Sequence, residues 1–286
     1  MAKENSAEQR RNKARENARQ IAAAQAKKEK TAKTILYVGI GVVVVAIIAV
    51  VATLIFQQNK PGTEPSNYVA GGVTLAKDGA VVQPLKMPKG ETSKLPKAAN
   101  SGTKDNAATV TVYLDFQCPG CKAFEAANTP TLQKLADEGS IVLEYKTVAI
   151  LDRMSGSNEY STRSANLAAC VIDSQPEVVE DFFAKMYAQQ PEENSDGRTD
   201  AELLKVAESA GVDTSKKLSS DPEQTVASCV TDKSFEKFVK NSTQDALDNG
   251  VEATPWVLIN GKHTDKTSDP QALALEILKA TGEVKG

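Results

Sequence analysis

The sequence predicts an α/β fold interrupted by an all-helical insertion and preceded by a single membrane-spanning helix. Three observations carry that expectation. A short apolar run, 110–116, is followed at once by Cys118-Pro119-Gly120-Cys121 and then by a helical pattern. A long block of helical periodicity separates this unit from a second apolar run at 256–259, which follows Thr254-Pro255. Near the N-terminus, residues 35–56 contain no charged side chain and are dominated by Val, Ile, Ala and Leu.

The chain has 286 residues, enough for one large domain or two small ones. Its net charge of -3 hides an asymmetry. Residues 1–33 hold ten Lys or Arg against four Glu, a net +6, which leaves the remainder at -9. At about 1.5 Å per residue, 35–56 spans roughly the 30 Å hydrocarbon core of a bilayer. A cleavable signal peptide has an apolar stretch of only about 7–15 residues, so an uncleaved transmembrane helix is expected. Positive residues stay inside, which places the basic tail, 1–34, in the cytoplasm and 57–286 outside. No aromatic residues interleave the basic ones. The tail therefore reads as a topology determinant lying against anionic lipid, and no nucleic-acid partner is expected.

Residues 57–68 form a polar linker, which Pro61, Gly62 and Pro65 keep extended. Residues 69–107 read as a hairpin and a loop. The hairpin spans 69–82 and turns at Asp78-Gly79, a strong two-residue turn signal. The main domain occupies 108–286, and its first strand is 110–116. The helix that follows, through 138, carries Phe124, Ala127, Leu132 and Leu135 on one face, is kinked at Pro130 and is capped by Gly139. Residues 141–148 form the next strand.

The helical insertion fills about 152–249. Residues 159–173 place Leu167, Cys170 and Val171 at core spacing, and 176–189 do the same with Val179, Phe182, Phe183 and Met186. Thr199 and Glu202 form a capping box for a helix that stops at Gly211. Asp221-Pro222 reads as the cap and first residue of another. A further helix runs through Phe235, Phe238 and Val239 toward Gly250. The chain returns to strand at 256–259. Asn260-Gly261 turns it into a short edge strand, and Asp269-Pro270 starts a last amphipathic helix.

A thiol at a helix N-terminus meets unpaired backbone N–H groups and the positive end of the helix dipole. Both favour thiolate, so the pKa of Cys118 should fall below the free value of about 8.5. Cys121 lies one turn further in and should be more buried and less ionised. Cys118 is thus the nucleophile and Cys121 the resolving thiol. Pro119 suits the first helical position, and Gly120 completes the turn. Zinc needs about four ligands at knuckle spacing, but Cys170 and Cys229 form no second close pair and His263 is the only histidine. No metal and no organic cofactor is expected, and His263 reads as a solvated loop residue. Cys170 and Cys229 lie on two helices of an exported domain, where a structural disulfide is expected. Two buried thiols and a second redox pair are the alternatives. Pro255 is either an edge-strand proline or the second half of the site.

Two motifs resemble a known family. Asp115-Phe116-Gln117-Cys118-Pro119-Gly120-Cys121 looks like the active-site strand and helix of DsbA-like thiol–disulfide oxidoreductases. Residues 250–261, Gly-Val-Glu-Ala-Thr-Pro-Trp-Val-Leu-Ile-Asn-Gly, are similar to that family's segment around its cis-proline. The resemblance covers roughly 108–283, and the anchored form with a second cysteine pair resembles the actinobacterial branch. It implies a thioredoxin fold with an all-helical insert and a cis Thr254–Pro255 bond that presents the Thr254 backbone to the disulfide and to substrate. It also implies oxidation of exported substrate proteins with cysteines, and reoxidation by a quinone-linked membrane partner. Strong oxidants of the family often carry His where this chain has Gly120. The Cys118 pKa is therefore expected between about 3.5 and 7, and the potential between about -120 and -270 mV. The expected function is an extracytoplasmic dithiol oxidase. The alternatives are a reductase or isomerase at the same site, or a non-catalytic anchored module with structural or metal-binding cysteines.

Overall fold

The computed structural model describes residues 63–69, 71–79, 81, 103–156 and 158–284, and, nearer the N-terminus, 16, 19, 25, 28, 37 and 39–50. The chain divides into two compact units, Met1–Lys60 and Pro61–Gly286. In the first, residues 39–50 are helical and Ile40, Val42, Val45 and Ile48 are exposed. Among the described residues no helix is long and apolar enough to cross a membrane. Residues 35–36, 38 and 51–56 of the expected span lie outside the described residues, as do most of the basic tail and residues 57–62 of the linker.

The second unit is built on a five-stranded mixed sheet. Its strands are β1 (Val73–Leu75), β2 (Ala108–Leu114), β3 (Ile141–Thr147), β4 (Trp256–Ile259) and β5 (Lys262–Thr264), in the order β1-β3-β2-β4-β5. β2 runs parallel to β3 and antiparallel to β4, so the strand that leads into the cysteine pair is the central one. Alternation decides its faces: Val110, Val112 and Leu114 are buried to 0% exposure, while Thr109 and Tyr113 point to the other side.

The helices are α1 (Pro119–Asp137), α2 (Tyr160–Ser174), α3 (Val179–Ala188), α4 (Asp200–Ser209), α5 (Val226–Thr231), α6 (Glu236–Asp248) and α7 (Pro270–Ala280). α1 continues through Pro130, and Gly139 follows it with φ 69°. The capping box at Thr199 is formed in both directions. The Asp269 side chain caps α7 through the N–H groups of Gln271 and Ala272.

Two local expectations are corrected. Among the described residues of 69–82 no two-stranded ladder forms. Lys77–Gly79 is a 3₁₀ turn, Val81 makes one bridge to Leu75, and β1 pairs instead with β3. That pairing buries Val73 and Leu75 completely, which a two-stranded hairpin cannot do. Asp221-Pro222 opens a turn, closed by Gln224 N–H donating to the Asp221 carbonyl. The helix starts later, capped by Thr225. Asp followed by Pro serves a turn as well as a helix start, and the capping box at Thr225 and Ser228 decides between them.

The insertion does not have a core of its own. Phe116, just past β2, packs on Phe183 and Tyr187 of α3 at ring separations of 5.1 and 5.3 Å. One continuous cluster of buried side chains runs from the sheet through these rings into α2, α4 and α5. A disulfide joins Cys170 of α2 to Cys229 of α5, with Cα atoms 6.0 Å apart and both residues fully buried. Its sequence separation of 59 residues makes it worth about 4 kcal/mol on the chain-entropy model. At about 2–4 °C per kcal/mol for a domain of this size, the Cys170→Ser, Cys229→Ser double variant should melt roughly 10 °C lower. Calorimetry of the oxidised wild type and the variant checks this, and the Cys118 chemistry should be unchanged.

Candidate active site

The site forms where β2 ends and α1 begins. Cys118 is the N-cap of α1, with extended backbone (φ -76°, ψ 118°), and Pro119 occupies the first helical position. Cys118 and Cys121 are both free thiols, 7% and 0% exposed. The Thr254–Pro255 bond is cis, and it turns the Thr254 carbonyl toward the pair: Cys118 Sγ donates to that oxygen at 3.1 Å. Gly120 faces the same loop. A Cβ there would lie 3.3 Å from Pro255 Cδ and 3.5 Å from Cys118 Sγ. Cys118, Cys121, Pro119, Gly120, Thr254 and Pro255 therefore converge on one spot, while Cys170 and Cys229 are engaged with each other in the insertion.

The two thiols sit in opposed environments. The Cys118 pKa is pulled down to about 6, chiefly by the hydrogen bond from the Cys121 thiol. Burial opposes the shift, and the Thr254 side chain and the N–H groups of Cys121 and Gly120 add to it. The Cys121 pKa is pushed well up, first by burial and then by its bond to Cys118. One helical turn thus separates a thiolate at neutral pH from a thiol.

A third group went unassigned at the level of sequence. Asp115, fully buried at the end of β2, accepts hydrogen bonds from the Gln117 N–H at 2.9 Å, the Ser161 hydroxyl at 2.7 Å and the Leu151 N–H at 2.9 Å. Burial raises its pKa to about 6 despite these three donors. Gln117, also fully buried, donates to the Met154 carbonyl at 3.1 Å. An Asp two residues before a turn N–H is a recognisable turn former, so that bond was legible. The partners from 151, 154 and 161 were not, because they lie far along the chain.

His263 is on β5, not in a loop. It is exposed and stacked on Trp256 with ring centroids 3.6 Å apart. Among the described residues no group of three or more His, Cys, Asp or Glu is placed to hold a metal ion.

A central strand running into a Cys-Pro-Gly-Cys helix start, faced by a cis-proline loop, defines a protein of the thioredoxin fold. The family model described as thioredoxin matches residues 95–279. Among solved structures, oxidised DsbA of Mycobacterium tuberculosis is 30% identical, with 75% of this chain and 95% of that one covered at a TM-score of 0.54. The reduced disulfide bond oxidoreductase DsbG of the same organism is 31% identical, with 75% and 89% covered and the same TM-score. The chain belongs to the DsbA-like thiol–disulfide oxidoreductases of the thioredoxin superfamily. Among curated relatives, disulfide bond formation protein D of Bacillus subtilis (strain 168) is 25% identical over 187 residues, 65% of this chain and 76% of that protein. The serine/threonine-protein kinase PknE of Mycobacterium tuberculosis (strain ATCC 25618 / H37Rv) is 24% identical over 181 residues, 60% of this chain. The match spans only 30% of the kinase's length.

The split between the thiols sets the outcome of alkylation. In the reduced protein, iodoacetamide should react at Cys118 with a rate that rises with pH, is half-maximal near pH 6 and levels off above it. Cys121 should stay unmodified throughout. Peptide mass mapping across pH 4–9 reads both.

Proposed function

We propose that this chain is a membrane-anchored, extracytoplasmic dithiol oxidase that introduces disulfides into exported proteins. The observation that carries the reading is the Cys118 sulfur, held at the N-terminus of α1 with the Cys121 thiol and the Gly120 and Cys121 N–H groups directed at it and its pKa drawn down to about 6. A couple whose nucleophile is already thiolate at neutral pH stabilises its reduced form and therefore takes electrons readily.

In the oxidised enzyme, a substrate thiolate attacks Cys118 Sγ. The Cys118–Cys121 bond breaks, and Cys121 leaves with the electron pair and takes up a proton, as its raised pKa favours. A mixed disulfide remains on Cys118. A second substrate thiolate attacks the substrate sulfur of that bond, forms the substrate disulfide and releases Cys118 as thiolate. Two electrons have passed from substrate to enzyme, and a quinone-linked membrane partner removes them. The cis-proline loop offers the Thr254 backbone beside the reacting sulfur, where a substrate strand can lie.

The uncharged run 35–56 after the basic tail supports an anchor with the catalytic domain outside. Protease added to wall-stripped cells should digest residues 57–286 and spare the tail. Release of a soluble protein that begins near residue 57 would contradict it.

Direction of catalysis is tested by incubating the oxidised protein with a dithiol peptide and following peptide disulfide formation. Cys118→Ala should abolish turnover. Gly120→His, which adds a positive charge beside Cys118 Sγ, should lower the Cys118 pKa and make the couple more oxidising, with Pro255 yielding by a few tenths of an ångström. A wild type that reduces insulin but fails to oxidise the peptide is a reductase, and the oxidase reading falls.

A further inference from the structure

The end of α3 grips the redox turn by its carbonyls. Gln190, two residues past α3, donates from Nε2 to the Phe116 carbonyl at 3.0 Å and to the Cys118 carbonyl at 2.9 Å. Both partners are acceptors only, so nitrogen and not oxygen must face them. One turn earlier, the Tyr187 hydroxyl reaches the Asp115 carbonyl at 3.5 Å. Gln190 is itself held. Its N–H donates to the Tyr187 carbonyl at 3.2 Å, and the preceding Gln189 carbonyl accepts from Arg198 Nε at 2.9 Å.

The placement matters because residues 115–118 belong to neither β2 nor α1. The Cys118 carbonyl is also the first acceptor of α1, taking the N–H groups of Cys121 at 3.1 Å and Lys122 at 3.2 Å. Whatever orients that carbonyl orients the peptide planes whose N–H groups, at Gly120 and Cys121, bond to the Cys118 sulfur. A donor amide also sets the positive end of a dipole next to the turn, which favours negative charge there.

We propose that Gln190 is a positioning residue for the redox reaction: through its two bonds to the Phe116 and Cys118 carbonyls, the helical insertion sets the stability of the Cys118 thiolate. The inference rests on the redox reading of Cys118 and Cys121 given above. Reduction of the pair breaks the Cys118–Cys121 bond and takes two electrons. Two glutathione thiols supply them and leave as glutathione disulfide, with protons passing to Cys121 and, below its pKa, to Cys118. A less stable thiolate disfavours the reduced side of that equilibrium.

The test uses the full chain and two variants of equal length. Gln190→Met has no donor, and Gln190→Glu presents only acceptors and adds negative charge. Thermal melting, thiolate absorbance against pH and glutathione equilibration are measured on each. Only part of a hydrogen bond's contribution distinguishes thiol from thiolate, so in Gln190→Met the Cys118 pKa should rise about half a unit and the glutathione constant should fall about threefold. Gln190→Glu should move both further in the same direction. If one variant fails to fold, the other carries the comparison. Folded variants that keep the wild-type pKa and glutathione constant overturn the inference and leave Gln190 a packing residue. A wild type with no glutathione couple at all overturns the redox reading and this inference with it.

Discussion

The Asp115 carboxylate takes three hydrogen bonds from three parts of the chain, and the geometry of the site depends on that arrangement. The Gln117 N–H bends the backbone just past β2, the Leu151 N–H ties down the chain beyond β3, and the Ser161 hydroxyl belongs to α2 of the insertion. A neutral side chain of the same size could not satisfy three donors at once. The cost is visible in its pKa of about 6. Its folded value lies above the unfolded value of about 3.9, so the protonated carboxyl is the form that favours the fold: its contribution is fully present below pH 4 and is lost as pH rises through 6 and the group ionises. The protein carries a buried charge at neutral pH, and what it obtains is a fixed turn between β2 and α1.

That turn sets the asymmetry of the two cysteines. Cys118 caps the helix and Cys121 lies inside it, so the bonds to the first sulfur outweigh its burial while burial outweighs the bonds to the second. No charged side chain is needed for the split. The main support for the Cys118 thiolate is the neighbouring thiol, which is itself kept protonated by burial. Gly120 contributes by leaving space: any side chain there would press on Pro255 and approach the sulfur.

The helical insertion is part of the same core as the sheet. Phe116 packs its ring edge-on against Phe183 and tilted against Tyr187 of α3, so a residue two positions before the nucleophile is packed by the insertion. α2 is buried along its whole length although it carries Ser161, Thr162, Arg163, Asn166 and Asp173. Each of these has a partner: Arg163 pairs with Asp200 at 2.7 Å, and Asp173 accepts from the Ser66 N–H at 2.7 Å. Buried polar groups with partners give a helix no amphipathic signature, so the depth of α2 was not visible in its pattern.

The sequence by itself determined the strand–turn–helix unit, the helix starts with capping boxes, and the convergence of a thiol pair on a helix N-terminus. These follow from local rules of alternation, 3.6-residue periodicity and capping, which act within a few residues. Tertiary structure alone decided that β1 takes its ladder from β3, and that the helix after Asp221 waits for Thr225. It also decided that Ser161, Leu151 and Gln190 serve a turn formed by residues 115–118. Those choices turn on which distant groups need a hydrogen-bond partner or a buried face once the chain is compact. A pairing between residues 46 or 72 positions apart leaves no trace in the local spacing of either.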